Sequence, residues 1–180
     1  MLKKIAKEIV LWGVWLSIGI GLSLFLNNHV LVNAQVLTGS MESTIMTQNR
    51  VFGLRAGFLF GTPNRGDIIV FESPLPDEFD EPFIKRVIAL PGEEIAIIDG
   101  IVHINGRPLH ESYLAEEMRR DFDPVTVPEG ALFVMGDNRN YSRDSREWGS
   151  ICKNSIIGRI YIDFSPRPTI IAAYVYAFEN

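Results

Sequence analysis

From Ile9 to Leu26 the chain runs I-V-L-W-G-V-W-L-S-I-G-I-G-L-S-L-F-L without a charge. As a helix that run is roughly 27 Å long, close to the hydrocarbon thickness of a bilayer. It has no polar face to set against water, which argues against a buried helix of a soluble domain. Trp12 and Trp15 stand near its start, where an indole sits well at a lipid interface. Lys3, Lys4 and Lys7 precede the run and no lysine follows it closely. The positive-inside rule then predicts a single pass through the cell membrane, with residues 1–8 cytoplasmic, 9–26 spanning, 27–35 a linker and 36–180 outside the cytoplasm. Val32-Asn33-Ala34 has the small flanking residues of a leader cleavage site. The apolar core nevertheless exceeds the ~7–15 residues of a cleaved leader, which favours an uncleaved anchor.

Past the anchor, periodicity and punctuation predict strands. Asp67 to Phe71 follows the turn residue Gly66; Phe83 to Leu90 lies between Pro82 and Pro91-Gly92. Glu93 to Ile98 and Ile101 to Ile104 flank Asp99-Gly100, a two-residue hairpin signal, and Asn105-Gly106 marks a second turn. Leu132 to Met135 and Ile156 to Phe164 have the composition of buried strands, and Ile170 to Phe178 that of a terminal strand too short to span a bilayer. The charged stretch Ala115 to Asp123 reads as a solvated loop. The expected fold is mainly β: folded antiparallel sheets, barrel-like, behind one transmembrane helix.

Composition narrows the function. A net charge of −5 with no basic run beyond the first residues argues against nucleic acid as a partner. With Cys152 the sole cysteine there is no internal disulfide, and His29, His103 and His110 lack a metal-ligand spacing, so no metal or other cofactor is expected.

Hydrolytic chemistry without a suitable histidine needs another base for a nucleophile. A lysine can act as one when burial makes it neutral near working pH. Lys85, among Phe83, Ile84, Val87 and Ile88, is the candidate. In an extended chain Phe83, Lys85 and Val87 share one face and Ile84, Arg86 and Ile88 the other. The pattern therefore does not choose between Lys85 and Arg86, and an outward lysine paired with a carboxylate fits it too; only the permanent charge of arginine makes Arg86 the poorer base. Ser40, in Leu37-Thr38-Gly39-Ser40-Met41, is the candidate nucleophile, although the segment also reads as a polar turn. A third segment, Gly136 to Gly149, is dense in hydrogen-bonding side chains and follows a strand.

Taken together, Thr38-Gly39-Ser40-Met41, Gly66 to Phe71, Phe83 to Gly92 and Gly136 to Gly149 closely resemble, in order, the boxes of bacterial type I signal peptidases. The resemblance runs from the anchor to about Phe164 and fits compact, single-anchor members. It implies a membrane-bound serine endopeptidase that removes leader peptides from exported preproteins, with preproteins and the lipid bilayer as partners. It further implies Ser40 as nucleophile and Lys85 as general base, with the Ser40 backbone N–H and the Thr38 hydroxyl as oxyanion donors. Ser142 matches a lysine-orienting serine, and Asp144 and Arg146 match residues that hold the site's shape. Val36, Met41, Ile45, Phe83 and Ile84 would form shallow pockets for small substrate side chains.

The chain departs from the family pattern at Ser43, where proline is usual, which would loosen the turn after the nucleophile. Ala89 replaces a common glycine, and Asn140-Tyr141 a common Asp-Asn pair. Ser150-Ile151-Cys152-Lys153 fits S-x-x-K without its companion motifs, and Asn140-Tyr141-Ser142 fits a glycosylation sequon. The rival functions are a Ser–Lys self-cleaving repressor, for which no DNA-binding segment is seen, and an anchored β-domain that binds partners without catalysis.

Overall fold

The structure, a computed structural model, describes residues 2–55, 61–75, 77, 80–164 and 168–171. The chain forms two compact units, Met1–Leu31 and Val32–Asn180.

The first unit is helical. Helix α1 (Leu2–Phe25) begins ahead of the uncharged run, carrying the lysines on its first turns, and passes into a π-helical turn at Leu26–Val30. The segment Lys3–Val30 is long and apolar enough to cross a membrane.

The second unit is built of antiparallel strands. In chain order they are β1 (Leu31–Gln35), β2 (Arg50–Arg55), β3 (Ile68–Phe71), β4 (Phe83–Ala89), β5 (Glu94–Ile98), β6 (Ile101–Ile104), β7 (Arg107–Pro108), β8 (Phe122–Thr126), β9 (Ala131–Met135), β10 (Ile151–Cys152), β11 (Ile156–Phe164) and β12 (Pro168–Ile170). The larger sheet has the order β1-β2-β11-β3-β4-β9-β10, with β12 added on β11; the smaller has the order β7-β6-β5-β8. Register shifts within β11 and β4 bend the larger sheet, as an inserted residue sharpens local twist, and give it a curled, half-barrel form. Both hairpin signals act as read: Asp99-Gly100 and Asn105-Gly106 hold positive φ at both positions, as a mirror-image turn needs.

Three apolar clusters hold these layers together. Ile95, Ile97, Val102 and Ile104 of the small sheet pack on Ile88, Ala89, Phe133 and Met135 of the large one. Ala89 is fully buried there, so its methyl takes part in that packing. Val32, Val36, Met41, Ile45, Val51 and Ile160 form a second cluster; Ile69, Phe71, Val87 and Val134 belong to the third.

Two sequence readings need correction. The segment 27–35 is not a free linker, because Val32 is buried and Leu31–Gln35 joins the sheet as an edge strand. The stretch Ala115 to Asp123 is not wholly solvated either: Met118 is buried, and Phe122 opens β8 while packing against the small-sheet core. Of the expected terminal strand, Ile170 ends β12, and residues 172–178 lie outside the described ones.

Candidate active site

Ser40 sits in a single 3-10 turn, Gly39–Met41, entered from extended backbone at Thr38. The loop that carries it is closed at its neck, where Val36 N donates to Asn49 O at 2.9 Å and Gln48 N to Val36 O at 2.8 Å. Met41 and Ile45 are buried and pin the turn to the core from its C-terminal side. Ile45, fully enclosed, is therefore a core anchor and lines no substrate pocket, in contrast to the sequence expectation.

Lys85 comes from β4, paired across to Ile69 of β3. Its side chain is 2 % exposed, and Nζ donates to Ser40 Oγ at 2.5 Å. The alternative left open by the sequence, an outward lysine paired with a carboxylate, is thus not what forms. Burial dominates the ammonium's energetics and lowers its pKa to about 8. The carboxylates of Asp144 and Asp137 oppose that drop, and the Arg146 guanidinium adds to it. Thr38 Oγ1 lies 3.3 Å from Ser40 Oγ.

Arg86, the other basic residue of the strand, is also buried, and it has a different partner. Its Nε and Nη2 donate to Asp137 Oδ1 and Oδ2 at 2.8 and 2.6 Å, and Nη1 donates to Gly66 O at 2.9 Å. Asp137 also accepts from Thr44 Oγ1 at 2.5 Å. One carboxylate therefore ties the lysine strand, the nucleophile loop and the third segment together. The sequence carried a signal for this: a guanidinium inside an apolar strand demands a buried anion.

The third segment clasps the nucleophile turn directly. Asn138 N donates to Ser40 O at 3.1 Å, and Asn138 Nδ2 to Gly39 O at 3.0 Å. Gly136 permits this approach, since a Cβ there would lie 2.4 Å from Ser40 O and 2.3 Å from Ser142 Oγ. Asp144, fully buried, caps α2 (Ser145–Trp148) and accepts from Gly136 N at 3.0 Å. Arg146 holds both oxygens of Asp144 at 2.8 Å and donates to Arg139 O at 2.7 Å. Ser142 lies beside this turn, its Oγ 2.3 Å from where a Gly136 Cβ would stand, and its hydroxyl donates to Arg143 O at 3.4 Å.

Ser40 and Lys85 line a cavity of about 460 Å³. Val36, Met41, Phe83 and Ile84 line it, together with Asn33, Ala34, Gln35, Leu37, Glu81 and Pro82. Asn33, Ala34 and Gln35 come from β1, which the sequence places in the linker, Leu37 from the nucleophile loop, and Glu81 and Pro82 from the approach to β4. Both walls run in chain direction toward the pair and offer a channel for an extended peptide.

The departures find partners. Ser43 has φ of +86°, which proline's ring forbids, and its hydroxyl donates to Tyr113 O at 3.1 Å. That bond ties the turn to the Tyr113 main chain. Asn140 accepts from Arg119 N at 3.0 Å and donates to Glu117 O at 2.9 Å, fastening the 115–121 segment.

Comparison with known proteins identifies the family. Residues 9–164 match the family described as signal peptidase, peptidase S26. The chain is 36% identical over 159 residues to the signal peptidase I of Leptolyngbya laminosa, covering 84% of this chain and 77% of that one. It is 34% identical over 172 residues to signal peptidase I S of Bacillus subtilis, covering 89% and 91% respectively. A crystal structure of a signal peptidase I from Enterococcus faecalis matches with a TM-score of 0.50 at 38% identity, covering 56% of this chain and 98% of that chain. A match over most of the length, joined to a buried serine–lysine pair lining an apolar cavity, places the chain in the signal peptidase family, peptidase S26.

Proposed function

We propose that this serine endopeptidase removes leader peptides from exported preproteins, with Ser40 as nucleophile and Lys85 as general base. The observation that carries the reading is the 2.5 Å approach of Lys85 Nζ to Ser40 Oγ, with both residues buried and lining an apolar cavity. A lysine held at a pKa of about 8 is neutral in an appreciable fraction of molecules near neutral pH, as a base must be.

Neutral Lys85 takes the Ser40 hydroxyl proton while Oγ bonds to the scissile carbonyl carbon. The Ser40 N–H and the Thr38 hydroxyl donate to the developing oxyanion. The lysinium passes its proton to the leaving amine as the C–N bond breaks, leaving an acyl-enzyme on Ser40. Lys85 then deprotonates the water that attacks the ester, and returns that proton to Ser40 Oγ. Asp144 and Arg146 support the loop behind the pair. Ser142, whose hydroxyl lies beside Gly136 next to the Ser40 turn, is the group that orients the lysine, and Lys85 is further held by its bond to Ser40 and by strand pairing. The leader lies as an extended strand between β1 and β4, its small side chains facing Val36, Met41, Phe83 and Ile84.

In the proposed topology the Lys3–Lys7 end stays in the cytoplasm, the apolar helix spans the cell membrane, and the β unit works on the outer side. The decisive experiment is cleavage of a preprotein by the full chain in detergent. Ser40→Ala and Lys85→Ala should each abolish cleavage; either variant matching the wild-type rate removes the proposed mechanism.

A further inference from the structure

Tyr113 belongs to no strand: it lies in the turn region between β7 and β8, on the excursion that builds the small sheet. It is nonetheless 7 % exposed, and its contacts lead back to the catalytic sheet. The Arg86 guanidinium lies over its ring, 3.9 Å from the centroid. Arg86 is the residue after Lys85 and carries the ion pair with Asp137, to which Thr44 also bonds. The main-chain oxygen of Tyr113 accepts from Ser43 Oγ, three residues after the nucleophile. Its hydroxyl donates to Glu111 and accepts from Arg139 Nη2 at 3.2 Å, and Glu111 in turn holds Arg139 at 2.6 and 2.7 Å. Tyr113 therefore touches the lysine strand with its ring, the nucleophile loop with its carbonyl and the third segment with its hydroxyl.

We infer that Tyr113 is a positioning residue, which sets the Ser40 turn against the Lys85 strand by covering Arg86 with its ring and holding Ser43 with its main-chain oxygen. The inference rests on the Ser40–Lys85 reading above. It also accounts for serine at position 43. Proline there would have no hydroxyl to offer the carbonyl and could not adopt the observed φ of +86°. Ring-on-guanidinium packing suits this place, since it covers a buried charge without competing for the hydrogen bonds that Asp137 and Gly66 already fill. Tyr113 does not line the substrate channel, so its loss should alter the geometry of attack and leave substrate binding alone.

The test is steady-state cleavage of a preprotein by the full chain in detergent, well below each variant's melting temperature, with rates normalised to the folded fraction. Tyr113→Ala should lower kcat roughly ten- to a hundredfold, the scale on which displaced catalytic groups lose rate, with KM within about twofold of wild type. Tyr113→Phe keeps the ring and should recover most of kcat. If Tyr113→Ala does not fold, Ser43→Gly decides: glycine adopts a positive φ without strain, and removing the hydroxyl alone should lower kcat roughly threefold or more. The inference is overturned if Ser43→Gly keeps full kcat, if Tyr113→Ala has wild-type kcat per folded molecule, or if the effect falls on KM alone. Loss of the Ser40–Lys85 reading would look different, since Ser40→Ala or Lys85→Ala would then remain active.

Discussion

Lys85 is under two opposed demands. Catalysis needs its amine free of a proton near working pH, and folding must enclose that amine in apolar surroundings to achieve it. A lysine whose pKa falls from 10.5 to about 8 on folding destabilises the fold whenever it is protonated. The folded state binds fewer protons than the unfolded one between those two values. The cost is therefore complete below about pH 8 and fades as pH rises toward 10.5. Lys85→Met should accordingly stabilise the protein at pH 7, by at most on the order of 3 kcal/mol, and the advantage should shrink between pH 8 and 10.5. Chemical denaturation of both proteins across that range would show it; an advantage that does not change with pH would mean that Lys85 is not the group responsible. The same pKa predicts that kcat/KM climbs with pH through a limb near 8 in the free enzyme. Thr38 offers a separate handle. Thr38→Val keeps the shape and removes the hydroxyl, and should lower kcat roughly 10²–10³-fold with little change in KM, whereas Thr38→Ser should keep most of it. A large rise in KM would instead make Thr38 a substrate-binding group.

Among the elements, the third segment bears most of the alignment, and Gly136 is its narrowest point. Gly136→Ala would drive a methyl to within 2.4 Å of Ser40 O, so the clasp through Asn138 must open. Cleavage should fall by at least tenfold, the scale of a displaced nucleophile, while the β strands persist by circular dichroism. Asn140 makes a milder test. An aspartate in its place could still accept from Arg119 N but would set a carboxylate oxygen against the Glu117 carbonyl. Asn140→Asp should thus speed hydrogen exchange at the Arg119 amide and leave β4 and β9 unaffected. These elements also show where sequence reading works. The Asp99-Gly100 hairpin and strands β4, β9 and β11 were legible because turn chemistry and apolar runs are local signals. Strand β1 was not, because Leu31–Gln35 is half polar and becomes a strand only by pairing at the sheet edge. The Ser40 and Lys85 candidates emerged from local context and family resemblance. The Asp137 hub and Tyr113 depend on side chains meeting across long loops, for which one sequence holds no periodicity. Ile45 was misplaced for a related reason: position beside a nucleophile does not say whether an isoleucine faces the channel or the core.

At the scale of the whole molecule, a leader-cleaving enzyme must stand on the side of the membrane where leaders emerge. The proposed topology rests on few residues. Lys3, Lys4 and Lys7 lie ahead of the apolar run, while the π-helical turn after it, Leu26–Val30, contains Asn27, Asn28 and His29 but neither lysine nor arginine. Retention of lysines in the cytoplasm depends on their being next to the span, and acidic residues contribute little, so the net charge of −5 of the chain has small influence on orientation. Moving the lysines is therefore the informative change. In the wild-type chain, protease added outside intact cells should digest the β unit and spare the N-terminal end. A variant with Lys3, Lys4 and Lys7 changed to Gln, and Asn27 and Asn28 changed to Lys, should place a measurable share of β units inside, where the protease cannot reach them. That share should cleave no exported preprotein in cells, yet regain wild-type activity once detergent removes the barrier, because the Ser40–Lys85 pair and its cavity are built from other residues. A wild-type β unit protected from external protease would reverse the proposed topology. A variant whose orientation does not change would show that something other than the flanking lysines sets it.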